Sequence, residues 1–429
     1  MKFNSFFPNR PAPTFYAMAS DDLPLHFDME DLTEKQKADH FEQNQLVAML
    51  QVALMSISKP EDYVAQFDQF LKEPWAGFQR RQHDMMARTG FPMVPLDHVV
   101  HGHIESFYED LAEKLPPVEL VSFLMMSRSN ENIHQDQAAI DRMLKLNSKF
   151  HFAENAPGFG IPVPETLIAT QPLRGNAEVE AFFAKYNNKI VLKMTGQPGG
   201  RNVKAVSSLE EAEAFLEQYR EADPVLVQQR LPLENYVEWT ADLYIDDRTI
   251  ELDNVRRILD ADGLWIGNLM PAKNPLTPEQ EATLLKIGDY VRQFGIGTPV
   301  GENTGIDYFV GQDGEIVVTE INPRWTAGLF PSQALKRVDR QGRDACGYFE
   351  LVELDRYGDF LDFVEAHLPG NDGPYSVLPL GFSPYERDVE GTDRVFSWTI
   401  VIGDFPAYRR DAKALLGEGG LPNGDMVPL

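Results

Sequence analysis

The hydrophobic pattern divides the chain into stretches of different character. Residues 1–30 are irregular and proline-rich. From about 33 to 140, apolar positions recur at helical spacing in TEKQKADHFEQNQLVAMLQVALMSI, PEDYVAQFDQFLKEP and HIESFYEDLAEKL, with short strand-like runs such as VELVSFLMM among them. A helix running to about 154 leads into a middle third where the period changes. Strands are predicted at 189–193, 203–206, 225–231, 237–246 and 249–259, then at 305–310 and 315–322. Two helices interrupt them. Ser207 and Ser208 with Glu210 and Glu211 three residues on open the first, over 208–220, as a capping box does. Thr277 as cap, Pro278 at the first position and Gly295 past the end frame the second, over 278–294. The fold class is α/β of the α+β kind, with antiparallel hairpins rather than an unbroken βαβ wind.

Composition narrows the function. A chain of 429 residues is long enough for two or three cores. With 39 basic against 66 acidic side chains and a net charge of −27, it has no cationic footprint for nucleic acid or anionic membrane. No apolar run approaches the length that spans a bilayer. Cys346 stands alone, so no intramolecular disulfide forms, and the N-terminal stretch is too interrupted by Pro and Arg for a signal peptide; a cytoplasmic location is expected. His98, His101 and His103 cluster without metal-ligand spacing and read as surface or helix-start residues.

Two segments carry chemistry. In IVLKMTGQPGGRNV an apolar run delivers Lys193 into a loop holding Gly196, Gly199 and Gly200. The order matches neither the Walker A loop nor the dinucleotide fingerprint; a plain hairpin connection and a phosphate-cradling loop both fit it. The second segment is GIDYFVGQDGEIVVTEINPR. Asp-Gly is a strong two-residue hairpin signal, and a turn at 313–314 pairs Gln312 with Glu315 and hence Asp307 with Glu320. The carboxylates then face each other with Cβ atoms about 5 Å apart, and Asn322 lies on the same face. Three arrangements relieve that repulsion: a hard divalent cation held by Asp307, Glu320 and the Asn322 amide oxygen, a neutralising basic side chain, or a different turn that separates the pair. Arg324, two residues beyond Asn322, is placed to grip a phosphoryl oxygen.

Taken in order, these motifs resemble the ATP-grasp superfamily of ligases over roughly residues 140–340. The matching blocks are Lys145 in LKLNSK followed by GIPVPET, Lys193 closing IVLK before the glycine loop, VLVQQRL, the glutamate of YVEWTADLYI, and IDYF…TEINPR. The resemblance implies an ATP-grasp core of two α+β subdomains at 141–340, an N-terminal pre-ATP-grasp-like domain at 1–140 and a C-terminal accessory domain at 341–429. It implies ATP phosphates on Lys145 and Lys193, with Gly196, Gly199 and Gly200 in a flap over them. Adenine falls to Gln228 and the backbone of Arg230 and Leu231, and ribose to Glu238. Mg²⁺ or Mn²⁺ falls to Asp307, Glu320 and Asn322. Arg324 stabilises the transferring phosphoryl group, and Arg256 or Arg257 holds a substrate carboxylate or phosphate. Where several such ligases carry an arginine two residues before the first metal acid, this chain has Gly305. With its flanking regions, the chain is similar to peptide ligases of the pheganomycin type.

The activity so implied is ADP-forming ligation of the carboxylate of an amino acid or peptide to an amine through an acyl phosphate, in a homodimer as is the superfamily's habit. It needs no side-chain nucleophile, and the chain carries no G-x-S-x-G motif. A kinase acting on a small-molecule hydroxyl and a non-catalytic nucleotide-binding module are the rivals.

Overall fold

The computed structural model describes residues 2–3, 12–194, 203–217, 224–261, 264–385 and 394–417. Gly196, Gly199 and Gly200 lie outside the described residues. The rest forms three sheets.

The N-terminal sheet is parallel throughout: β1 (Lys2–Phe3), β2 (Thr14–Ala17), β3 (Tyr63–Phe67), β4 (Val99–Gly102) and β5 (Leu120–Phe123), in the order β1-β5-β2-β3-β4. Strands of a parallel sheet are buried on both faces and lose the alternation that marks a strand. YVAQF, predicted as part of a helix, is therefore β3. The long helix Glu34–Ile57 does form, started by a capping box between Thr33 and Gln36.

The second sheet is antiparallel and small: β6 (Thr166–Ala169), β7 (Ile190–Lys193), β8 (Val203–Val206) and β9 (Val225–Gln229), ordered β6-β9-β7-β8. It has its own core, where Val179, Phe183, Ile190, Leu192 and Val227 meet.

The third sheet comprises β10 (Tyr236–Ile245), β11 (Ile250–Ala261), β12 (Leu264–Met270), β13 (Glu302–Gly311), β14 (Ile316–Asn322), β15 (Ala345–Glu353), β16 (Tyr375–Tyr385) and β17 (Arg394–Gly403). Its order is β14-β13-β10-β11-β12-β15-β17-β16, antiparallel at every step. The chain after 340 thus continues this sheet, since β15 pairs with β12, and the boundary expected there falls within one pleated surface.

One face of the sheet packs Ile306, Tyr308 and Val318 on the helix Pro278–Gln293, which starts at the predicted Thr277 cap and ends before Gly295 at φ +100°. The other face packs Leu378, Trp398 and Ile400 against Val47, Met49 and Leu54 of the helix Glu34–Ile57. Gly381 permits that contact, because a Cβ there would sit 2.3 Å from the Met49 carbonyl oxygen. The N-terminal segment is thereby anchored to the end of the sheet away from β13 and β14.

Candidate functional site

The polar face of the third sheet holds a transverse row of side chains. Register places Arg256 opposite Thr240, Thr240 opposite Asp307, and Asp307 opposite Glu320. The next row on that face runs from Asn254 through Asp242 and Gly305 to Asn322. Asp307 and Glu320 do face each other, but not through the predicted turn. Gly311 N–H donates to Glu315 O at 2.9 Å, so the loop has three residues, 312–314, with Gly314 at φ +85°. That alone would slip the pair by one residue. A bulge at Thr319 restores it: Tyr308 lies opposite Val318 and Asp307 opposite Glu320. The bulged residue is used twice, its hydroxyl donating to Asp307 O at 3.2 Å and its carbonyl accepting from Lys193 Nζ at 2.9 Å.

The pair is held in a cationic setting. Lys149 Nζ lies 3.3 Å from Glu320 Oε2, and Asn322 Nδ2 donates to Asp307 Oδ2 at 3.0 Å. Burial and the facing Glu320 push Asp307 up to about 6. Burial would raise Glu320 as well, but Lys149, Lys193 and Arg324 outweigh it and hold it below the usual carboxylate range. Burial also draws Lys193 down to about 8 against the pull of Glu320. A basic side chain therefore neutralises half of the acid pair. Asp307 remains a half-buried carboxylate opposed by another, which is the donor set a hard cation suits. Among the described residues no group of three or more His, Cys, Asp or Glu is arranged for a metal, so the set is two carboxylates and the Asn322 amide oxygen.

Beside the row a narrow cleft lies between the second sheet and β14. Phe152, Ala153, Val163, Leu226, Val318 and Ile321 make its apolar walls, and Lys149, Lys193, Gln228 and Glu320 its polar ones. Gln228 is fixed by donating from Nε2 to Thr166 Oγ1 at 2.9 Å. Glu238 stands two residues before Thr240 on the same face, near enough to act on Lys193. Arg230 and Leu231 follow β9; the backbone N–H of Arg230 is engaged by Lys189 O at 3.1 Å, which leaves only its carbonyl for a ligand.

Three expectations change. Lys145 is exposed and rests over the Phe294 ring at 4.4 Å, outside the cluster; Lys149 occupies the place expected of it. The pattern ran as one helix, whereas the chain breaks at Asn147, and Ser148 caps a new helix, Lys149–Asn155, by accepting from His151 N–H. Arg256 is 1% exposed, ion-paired with Asp242 and bonded to Asn254, with Ser332 Oγ and Thr240 Oγ1 each at 3.4 Å. It braces the sheet and offers no open face to a substrate. Gly305 has no room for an arginine, since even a Cβ would come 2.3 Å from Thr326 Cγ2.

Sequence reasoning also missed what the N-terminal segment brings. Arg324 Nε lies 3.3 Å from Asp22 Oδ1. His26, held down to about 4 by burial although Asp22 opposes this, also feels Lys149 and Arg324. Nothing local marks Asp22 or His26 as site residues.

No protein-family model matches the sequence, and a search of curated proteins finds no match. Solved structures do match. N5-carboxyaminoimidazole synthetase from Staphylococcus aureus, complexed with ADP, superposes with a TM-score of 0.54 at 10% identity over 96% of this chain and 99% of its own. Carboxyaminoimidazole ribonucleotide synthase from Aspergillus clavatus, complexed with ATP, gives 0.53 at 12% identity over 92% and 94%. A biotin carboxylase complex from Campylobacter jejuni gives 0.52 at 9% over 96% and 93%. At these identities the likeness is one of fold, and the chain has the ATP-grasp fold.

Proposed function

We propose that the protein is an ATP-dependent, ADP-forming ligase that joins the carboxylate of an amino acid or short peptide to an amine. The observation that carries this reading is the half-buried Asp307–Glu320 pair ringed by Lys149, Lys193 and Arg324 at the mouth of an apolar cleft. The structural matches are carboxyaminoimidazole synthetases and a biotin carboxylase, so the amino acid or peptide substrate rests on the sequence resemblance alone.

In this reading adenine enters the apolar cleft beside Gln228, ribose meets Glu238, and the phosphates run toward Lys193 and Lys149. Asp307, Glu320 and the Asn322 amide oxygen would hold Mg²⁺, which when bound would draw charge from the phosphate oxygens. Lys149 and Arg324 face the phosphoryl group in flight, where preformed cations stabilise the transition state without reorganisation. A substrate carboxylate oxygen bonds to the γ-phosphorus as the bond to the β-phosphate oxygen breaks, and ADP departs. The amine nitrogen then bonds to the acyl carbon, loses a proton, and phosphate leaves with the electron pair. The walls of the cleft keep water from the acyl phosphate.

The test is an ADP-release screen of the purified full-length protein with Mg-ATP, across pairs of amino acids and of acids with amines, read by product mass. ADP released in step with a condensation product is expected. A protein that releases ADP with no pair, or whose product is a phosphorylated hydroxyl, is not this ligase.

A further inference from the structure

A second cleft, larger than the first, opens at the far end of the Arg256 row. β12 stops at Met270, and its pairing with β11 reaches only Arg257. β11 continues beyond to Ile250, so its outer edge forms the floor of a cleft of about 310 Å³, roofed by the segment after Met270 and the end of the helix Leu329–Leu335. That volume stands at the lower end of the range of small-molecule sites.

Its charge runs against that of the chain. The lining carries Lys273, Lys336 and Arg340 against the single carboxylate of Asp253, in a protein of net charge −27. Lys336 spends its charge on Asp253 at 2.5 Å. Lys273 is exposed and makes no ion pair among the described residues. Among the described residues Arg340 donates only to the carbonyls of Met270 and Pro271, at 3.1 and 3.3 Å. Concentrating unneutralised cations in a concave site of an acidic protein raises the local concentration of anions.

The cleft is also wired to the row. Asn254 and Ser332 line it, and both bond the buried Arg256 guanidinium, which lies on the Thr240–Asp307–Glu320 line. We propose that this cleft is a second ligand site that takes a small molecule through an anionic group, a carboxylate or a phosphate.

The experiment titrates inorganic phosphate and glutarate separately into the full-length protein by calorimetry. It is repeated on Lys273→Glu, an exposed position that folding tolerates, and on Asp253→Asn, which removes the one opposing charge. Saturable binding of one probe is expected. It should weaken at least about fivefold in Lys273→Glu and strengthen about threefold in Asp253→Asn, as changes in a partly screened field produce. The probe whose isotherm follows the variants names the group. Binding of neither probe, or phosphate binding that Lys273→Glu leaves unchanged and that therefore belongs to the nucleotide cleft, overturns the proposal. Mg-ATP is titrated into the same samples: its affinity is unchanged by Lys273→Glu, and its failure to bind would sink the ligase reading while leaving the anion site standing.

Discussion

Replacing Lys149 by alanine separates the structural assignment from the sequence expectation. Its ammonium lies 3.3 Å from Glu320, with the two side chains 15% and 25% exposed. At an effective dielectric of about 20 the bare attraction is about 5 kcal/mol, most of which desolvation of both groups cancels. What the nucleotide loses is a charge-assisted contact worth about 1.5–3 kcal/mol. The dissociation constant for Mg-ATP should therefore rise about 10- to 100-fold in Lys149→Ala. Glu320, relieved of its nearest cation, should titrate higher. Lys145→Ala is the matched control, because that side chain rests over the Phe294 ring and beside His151, apart from the acid pair. It should cost about 0.5–1 kcal/mol of stability and leave nucleotide affinity unchanged. Isothermal titration of both variants decides the matter. Equal losses in the two, or a loss in Lys145→Ala alone, would refute the placement of the phosphate-binding lysine.

Other positions give independent checks. Asp307, at about 6 in the folded state against an ordinary 3.8, keeps its proton where the unfolded chain has lost it. Its contribution to stability thus falls as pH rises from about 4 to 6, by up to about 3 kcal/mol. Asp307→Asn should therefore be more stable than wild type above pH 6 in chemical denaturation, yet lose Mg-dependent nucleotide turnover; a variant that kept turnover would remove Asp307 from the metal set. Glu350, wholly buried and raised to about 7 by that burial, accepts from the Tyr408 hydroxyl. The same sign applies between about pH 4.5 and 7, so Glu350→Gln, which can still accept that bond, should flatten the stability profile there; an unchanged slope would contradict it. Gly305→Ala forces a Cβ to 2.3 Å from Thr326 Cγ2 and should cost about 1–3 kcal/mol in urea unfolding, whereas a neutral result would mean the Thr326–Asp242 contact yields.

Where pairing follows the local alternation, the chain is readable in advance. β8 falls at the predicted residues, and β7, β9, β10 and β11 begin and end within two residues of expectation. The Asp307–Glu320 pairing is a subtler case. The Asp-Gly turn was misread by one residue and the bulge at Thr319 compensates by one, so the right partners came from an incomplete geometry. Lys149 was legible in principle, since Asn-Ser before a lysine is a helix stop followed by an N-cap. The parallel N-terminal sheet was not, because strands buried on both faces show no period of two. Nor was the Asp22–Arg324 pair, which joins residues that only the tertiary packing brings together. Arg256 shows the converse: a cation in a suggestive place proves to be enclosed, and its burial, invisible in a strand pattern, makes it a brace.

The central claim is that a substrate carboxylate attacks the γ-phosphate of ATP. Once the screen has identified an acid, the direct measurement is to supply it with heavy oxygen in its carboxyl group and to follow the label into the phosphate released. The account predicts that each phosphate carries one labelled oxygen from the carboxylate, in step with ADP and condensed product. Phosphate free of label would contradict it.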